Sequence, residues 1–111
     1  MNIKETKKDK ATLLVVEGRI DSGTSALLEK KLLSMIDQGA EKNIILDFKS
    51  MDYISSAGLR VLLMAAKKAG KLGGKVVLAC LNTNVKEVFD IAGFSNIFNI
   101  YASSEEALSA F

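Results

Sequence analysis

Residues 43–80 read NIILDFKSMDYISSAGLRVLLMAAKKAGKLGGKVVLAC. The first six, Asn43–Phe48, are a short apolar run whose length and paired isoleucines favour a strand over a helix. A polar turn follows. From about Ser56 to Lys71, Leu59, Leu62, Leu63 and Ala66 recur three to four residues apart, the spacing of one buried helical stripe. Gly73-Gly74 closes the connection, and Lys75–Cys80 is again apolar and β-branched. A strand, a helix-length crossover and a second strand predict that the two strands lie parallel in one sheet, since only antiparallel neighbours can be joined by a tight turn.

Outward from this unit the pattern continues. Ala11–Val16 reads as a strand, and residues 2–7 as a preceding one with Lys8-Asp9-Lys10 as the turn. Gly18 through Gly23 reads as a loop, with Ser22 or Thr24 placed to cap the next helix. In that helix Leu28, Leu32, Met35 and Ile36 share a face, and Gly39 ends it. Asn84 with Glu87 resembles a capping box for a third helix, stopped by Gly93. Ile97–Tyr101 reads as the last strand, and Ser103 with Glu106 opens a C-terminal helix running to Phe111. The expectation is an α/β fold: one domain over residues 1–111, a mixed sheet packed against about four α-helices.

Composition narrows the chemistry. The 111 residues are 49% hydrophobic and 25% charged, enough for one real core without disulfides or metal. The lone Cys80 reads as a core thiol at a strand end and suits a reducing, cytoplasmic setting. The absence of histidine excludes a Ser-His-Asp triad, a Cys-His pair, a His-bound zinc and a phosphohistidine relay. Two Tyr, five Phe and no Trp offer few platforms for nucleic-acid bases, and a net charge of +2 does not argue for such a partner. No stretch reads as a signal peptide or a membrane span, so no membrane insertion is expected. Residues 70–75 have the wrong spacing for a P-loop, no serine has a Lys three residues on, and Asp47 with Asp52 is a weak acid/base signal. Neither an enzyme nor a cofactor or metal site is indicated.

The helix entrance Ser55-Ser56-Ala57-Gly58 stands out, because Gly costs about 1 kcal/mol relative to Ala inside a helix. Serines there are ordinary caps. They are also places where a phosphate is tolerated by the helix dipole, while a partner packed on the surface meets new charge. Ser56, Arg60, Met64, Lys67 and Lys71 fall on the side opposite the leucine stripe, with Arg60 four residues after Ser56. From Tyr53 to Lys86 there are six basic residues and no acid. With +2 overall and +6 here, the rest of the chain carries −4. Such a face is either plain solvated surface or a docking surface for an acidic partner. In Gly18-Arg19-Ile20-Asp21-Ser22, Asp21 either caps the helix or positions a partner's nucleotide or hydroxyl.

Three stretches together resemble the STAS-domain anti-anti-sigma factors: Leu46-Asp47-Phe48 followed by Tyr53–Leu63, the loop Gly18–Asp21, and Val85–Phe94. The likeness covers nearly the whole chain. It implies a mixed sheet with helices and no catalysis. It implies binding to an anti-sigma factor that is also a serine kinase of the GHKL ATPase type, with release of a sigma factor or another captive regulator. Phosphorylation of one serine by that kinase ends the binding, and a metal-dependent serine phosphatase restores it. The family's switch sequence is Asp-Ser-(Ser/Thr/Ala)-Gly. Aligned on Gly58, its phosphorylated position falls on Ser56, with Ser55, which occupies the place of the Asp, as second choice. Asp21 matches the family's loop acid. Partner contacts are therefore expected at Asp21, Ser55, Ser56, Ala57 and Gly58, to which the basic face adds Arg60, Met64 and Lys67. The alternative is a constitutive STAS scaffold subunit, with both serines as caps.

Overall fold

The computed structural model describes all of residues 1–111. In chain order the elements are β1 (Asn2–Lys7), β2 (Thr12–Ile20), α1 (Ser25–Leu33), β3 (Asn43–Asp47), β4 (Met51–Ile54), α2 (Ser56–Lys71), β5 (Lys75–Ala79), α3 (Thr83–Ile91), β6 (Ile100–Tyr101) and α4 (Ser104–Leu108). The sheet runs β1-β2-β3-β5-β6, with β4 beside the far end of β2. Only β1 and β2 are antiparallel; every other pairing, β3 with β5 included, is parallel. This is the expected mixed sheet with four helices.

Alternation along the strands sorts their side chains onto two faces. Leu14, Val16, Ile44, Leu46 and Leu78 point into the larger core, where they meet Leu28 and Leu32 of α1, Leu62 of α2 and Phe89 of α3. The opposite residues, Ile45, Val77 and Ala79, meet Ala107 of α4 in a smaller cluster. Cys80 is partly buried against this second cluster, not sealed in the core.

Several boundaries differ from the sequence reading. The stretch after Phe48 is not all turn: Met51–Ile54 forms β4, which pairs with Gly18–Ile20 of β2. Those residues are therefore strand and not loop, and β2 runs four residues past Val16. Gly18 has φ +95°, a conformation that an L side chain resists, and stands at the register shift within the β2–β4 pairing, between Gly18 and Arg19. Its N–H donates to the Ser50 carbonyl at 2.9 Å, which steers the chain into β4.

The cap of α3 is Asn82 rather than Asn84. Its Oδ1 accepts from Val85 N–H at 2.8 Å, and its amide donates to the Met51 carbonyl at 2.9 Å, tying α3 to β4. On α2, Leu59 and Leu62 are buried together with Val61, Ala65 and Ala69, whereas Leu63 and Ala66 are only partly covered. The sheet lies one helical position round from the predicted stripe. Residues after α1 widen into a π turn at Ser34–Gln38, which keeps Met35 and Ile36 buried. The last strand shrinks to Ile100–Tyr101 because Phe94–Asn96 winds a 3₁₀ turn after Gly93. Ile97 is left exposed by that turn. The final helix stops at Leu108, short of Phe111.

Candidate functional site

The end of β4 delivers the serine pair to α2. Ser55 N–H donates to the Ile20 carbonyl at 2.8 Å, the last rung of the β2–β4 ladder. Ser55 is the N-cap: its backbone is extended, and its Oγ accepts from Gly58 N–H at 3.2 Å. Ser56 is the first helical residue. It is exposed, and its hydroxyl has no hydrogen-bond partner within the chain. The two serines are therefore unlike. One oxygen holds the helix; the other is free.

Gly58 is explained by packing and not by access. It is buried, and a Cβ there would stand 2.7 Å from Ile20 Cγ2 and 2.8 Å from Ile54 Cγ1. Its N–H is already taken by Ser55. Among the expected contact residues it is the one that offers a partner no surface. The glycine lets α2 sit down on the β2–β4 ends, which sets the height of Ser56 above the sheet.

The same ladder brings the Asp21 loop beside the serines, since Asp21 follows Ile20. Asp21 Oδ1 accepts from Gly23 N–H at 3.0 Å and Thr24 N–H at 2.9 Å. Its own N–H donates to Thr24 Oγ1 at 2.9 Å, and the single proton of that hydroxyl is shared between the Arg19 carbonyl at 2.8 Å and Asp21 Oδ1 at 3.1 Å. Thr24 thus braces the turn and does not cap α1 with its side chain. The Thr24 N–H, followed by the Thr24 hydroxyl, holds the Asp21 carboxyl below its ordinary value of 3.8. A carboxylate favoured in the folded state stabilises the turn above the unfolded value; that support is lost as pH falls through the lowered value. The expected result is that a proton NMR titration shows Gly23 and Thr24 amide shifts moving with a midpoint below 3.8. An ordinary midpoint would remove the turn's hold on Asp21.

Arg19 and Tyr53, both exposed, add a feature that the sequence reading did not single out. They are register partners on β2 and β4, and the guanidinium lies 4.4 Å from the ring centroid. Only the unrecognised strand β4 makes them neighbours.

On α2, Arg60 is exposed and within 4 Å of no carboxylate. With Ala57 and Val61 it lines a shallow groove of about 370 Å³ whose α1 wall is Ser25, Ala26 and Glu29. Lys67 and Lys71 are also exposed. The other members of the basic set are dispersed. Met64 is partly buried against the core rather than standing free on the outer face. Lys68 pairs with Asp37 at 3.3 Å. Lys75 donates to the Ala110 carbonyl at 2.8 Å and lies 4.9 Å from the Phe111 ring. What remains near the serines is a compact surface: Asp21, Ser55, Ser56, Ala57 and Arg60, with Lys67 further along.

This arrangement suits recognition. The one hydroxyl on the groove wall, Ser25 Oγ, donates to the Ser22 carbonyl at 3.0 Å and not to the Glu29 carboxylate. The Cys80 thiol is pushed up by burial and by the neighbouring Asp47 carboxylate, which keeps it protonated. No group of three or more metal-donor side chains converges anywhere. No helix is long and apolar enough to cross a membrane.

The STAS domain sequence profile matches residues 2–107. The chain is 40% identical over 111 residues to BtrV of Bordetella bronchiseptica, by name a candidate anti-sigma factor antagonist, covering 100% of this chain and 95% of that protein. It is 36% identical over 90 residues to the anti-sigma-B factor antagonist of Bacillus subtilis, covering 81% of each chain. In structure it resembles the anti-sigma factor antagonist SpoIIAA of Bacillus in its unphosphorylated form, with a TM-score of 0.86 at 21% identity over 98% of this chain and 95% of that one. The phosphorylated form of SpoIIAA superposes with a TM-score of 0.77 at 20% identity, over 98% of both chains.

Proposed function

The chain belongs to the STAS domain family, and from that footing we propose that it is an anti-sigma factor antagonist switched by phosphorylation of Ser56. In the unphosphorylated state it binds an anti-sigma factor through the start of α2 and the Asp21 loop, and so frees a sigma factor or another captive regulator. The names of its relatives support the general role. Its partner is a serine kinase of the GHKL ATPase type acting in the cytoplasm, and a metal-dependent serine phosphatase resets it. The chain itself works by binding and requires no cofactor.

One observation carries the choice of Ser56: its hydroxyl is exposed and unpaired, while the Ser55 hydroxyl is committed to Gly58. In the transfer, Ser56 Oγ attacks the γ-phosphorus of ATP, the bond from that phosphorus to the β,γ-bridging oxygen breaks and ADP leaves, and the hydroxyl proton passes to a general base of the kinase. The product carries about −1.5 to −2 charge at neutral pH, with three strong acceptor oxygens. At the first helical position that charge is compatible with the fold, because it faces the positive end of the helix dipole. A partner packed on the same spot meets a hydrated dianion and is expelled.

The test is a pair of variants. Ser56→Asp is expected to weaken binding to the partner kinase at least tenfold, about 1.4 kcal/mol, while the thermal stability stays level. Ser56→Ala is expected to bind normally and to resist phosphorylation. A partner that holds both variants equally, and a kinase that still labels Ser56→Ala, would instead leave the serines as caps of a constitutive scaffold.

A further inference from the structure

We propose that Arg60 is the internal receptor for the phosphate on Ser56, so that phosphorylation adds charge and also withdraws Arg60 from the docking surface. This rests on the reading of Ser56 above. It concerns what happens within the chain after transfer.

The geometry leaves few alternatives. Residues four apart stand over one another on a helix, and the favourable order places the anion N-terminal to the cation, as Ser56 and Arg60 are placed. Both are exposed, and neither has a charged or hydrogen-bonding partner to give up. The other cations are engaged or distant. Arg19 lies over the Tyr53 ring, and Lys68 is paired with Asp37. Lys67 and Lys71 are some 16 Å and 22 Å further along the helix axis, at about 1.5 Å rise per residue.

The remaining charged or titratable groups on the elements packed around the start of α2 are Glu29, Lys30 and Lys31 of α1, Glu17 of β2 with Asp21 after it, and Asp52 and Tyr53 of β4. The two lysines are the only cations among them: Lys31 is paired with Glu5, and Lys30 lies with Leu33 and Asp37 outside the groove that Arg60 lines. Glu29 shares the groove with Arg60 yet makes no ion pair with it. A single carboxylate across the groove competes poorly with a phosphate of nearly two charges on the adjoining turn, where the guanidinium fork can take two oxygens. Before phosphorylation Arg60 presents its charge to a partner; afterwards that charge is turned onto its own helix.

The experiment uses the full chain with phosphoserine installed at position 56 during translation, so no kinase is needed. Phosphorus NMR then follows the second ionisation of the phosphate, ordinarily near 6, with Arg60 present and in Arg60→Gln. With Arg60 present the midpoint is expected to lie about 0.3–0.5 pH lower than in the variant, an exposed pair being only partly screened. The chain has two arginines, so the side-chain Nε–H signal of Arg60 is assigned at once by its loss in Arg60→Gln. It is expected to move on phosphorylation while that of Arg19 stays. Equal midpoints with an unmoved Arg60 signal would overturn the pairing and leave the Ser56 switch intact. A kinase that never modifies Ser56 would sink the switch and leave this pairing measurable.

Discussion

Leu62→Ala is expected to lower the unfolding free energy by about 3 kcal/mol, within the range of roughly 2–5 kcal/mol for such truncations. Leu62 is fully buried where α2 lies on the sheet, between the strand residues and the packed side of α1. Truncation removes the transfer energy of its methyl groups and leaves a cavity that the flanking strands cannot collapse into. For a domain whose total stability is about 5–15 kcal/mol, that is a large share. With the entropy change scaling with chain length, the melting temperature should drop by about 10 °C. Urea denaturation checks it: the midpoint falls while the slope is kept, as for a loss of packing without a change in the unfolded state. Leu63→Ala is the control. The helical spacing put Leu63 on the same stripe, but it is only partly buried. It should cost about 1 kcal/mol, as expected from burying less apolar area. Equal losses at the two positions would mean that α2 is rotated from the orientation described.

Gly58→Val is expected to cost about 3 kcal/mol, the upper part of the usual range for overpacking. The contact is with Ile20 and Ile54, which are 0% and 3% exposed, so neither can swing into solvent. The atoms met are Ile20 Cγ2 and Ile54 Cγ1, next to the branch points and not at flexible tips. Helix propensity opposes this cost, since almost any residue is a better helix former than glycine. Alanine would gain about 1 kcal/mol on that ground. Packing should still win, so Gly58→Ala is expected to destabilise too, though by less than valine. Stabilisation by alanine would show that α2 stands further from β2 and β4. The functional consequence is direct: lifting α2 disturbs the Gly58 N–H that holds Ser55 Oγ, and with it the presentation of Ser56.

The parts of this architecture that were legible in the sequence share one property: a long, clean period. The strands at 43–47 and 75–79 and the helix between them announce themselves through runs of apolar residues of the right length and punctuation. β4 does not. It has four residues, of which Asp52 and Tyr53 are both exposed, so no alternation marks it. With β4 hidden, Gly18–Ile20 has no visible partner and reads as loop, and nothing in the sequence marks the Arg19–Tyr53 stack. Asn82 and Asn84 present the same side chain two residues apart, and only the turn of the backbone after β5 chooses between them. At the site, the sequence marked the serine pair and the Asp21 loop as separate features. The pairing of β2 with β4 is what sets them side by side. Gly58 stands out in the sequence only through its cost inside a helix, and the reason for it is visible only in the fold, where the space beside its Cα is filled by two isoleucines of the chain itself.

The basic face shows a further limit of reading charge along a chain. Six cations without an acid between Tyr53 and Lys86 look like one surface. Folding sends Lys75 to the α4 side and gives Lys68 to Asp37. Arg60 is left as the cation closest along the chain to Ser56, which is why its loss should be felt in association rate more than in stability.

The most direct measurement is to incubate the purified protein with ATP and a lysate of its own source, then map phosphorylation by mass spectrometry. A single phosphate on Ser56, absent from the Ser56→Ala protein, is the expected result. A phosphate on Ser55 would contradict the assignment of the two hydroxyls. No phosphate on either serine, with an active kinase control in the same lysate, would contradict the switch itself.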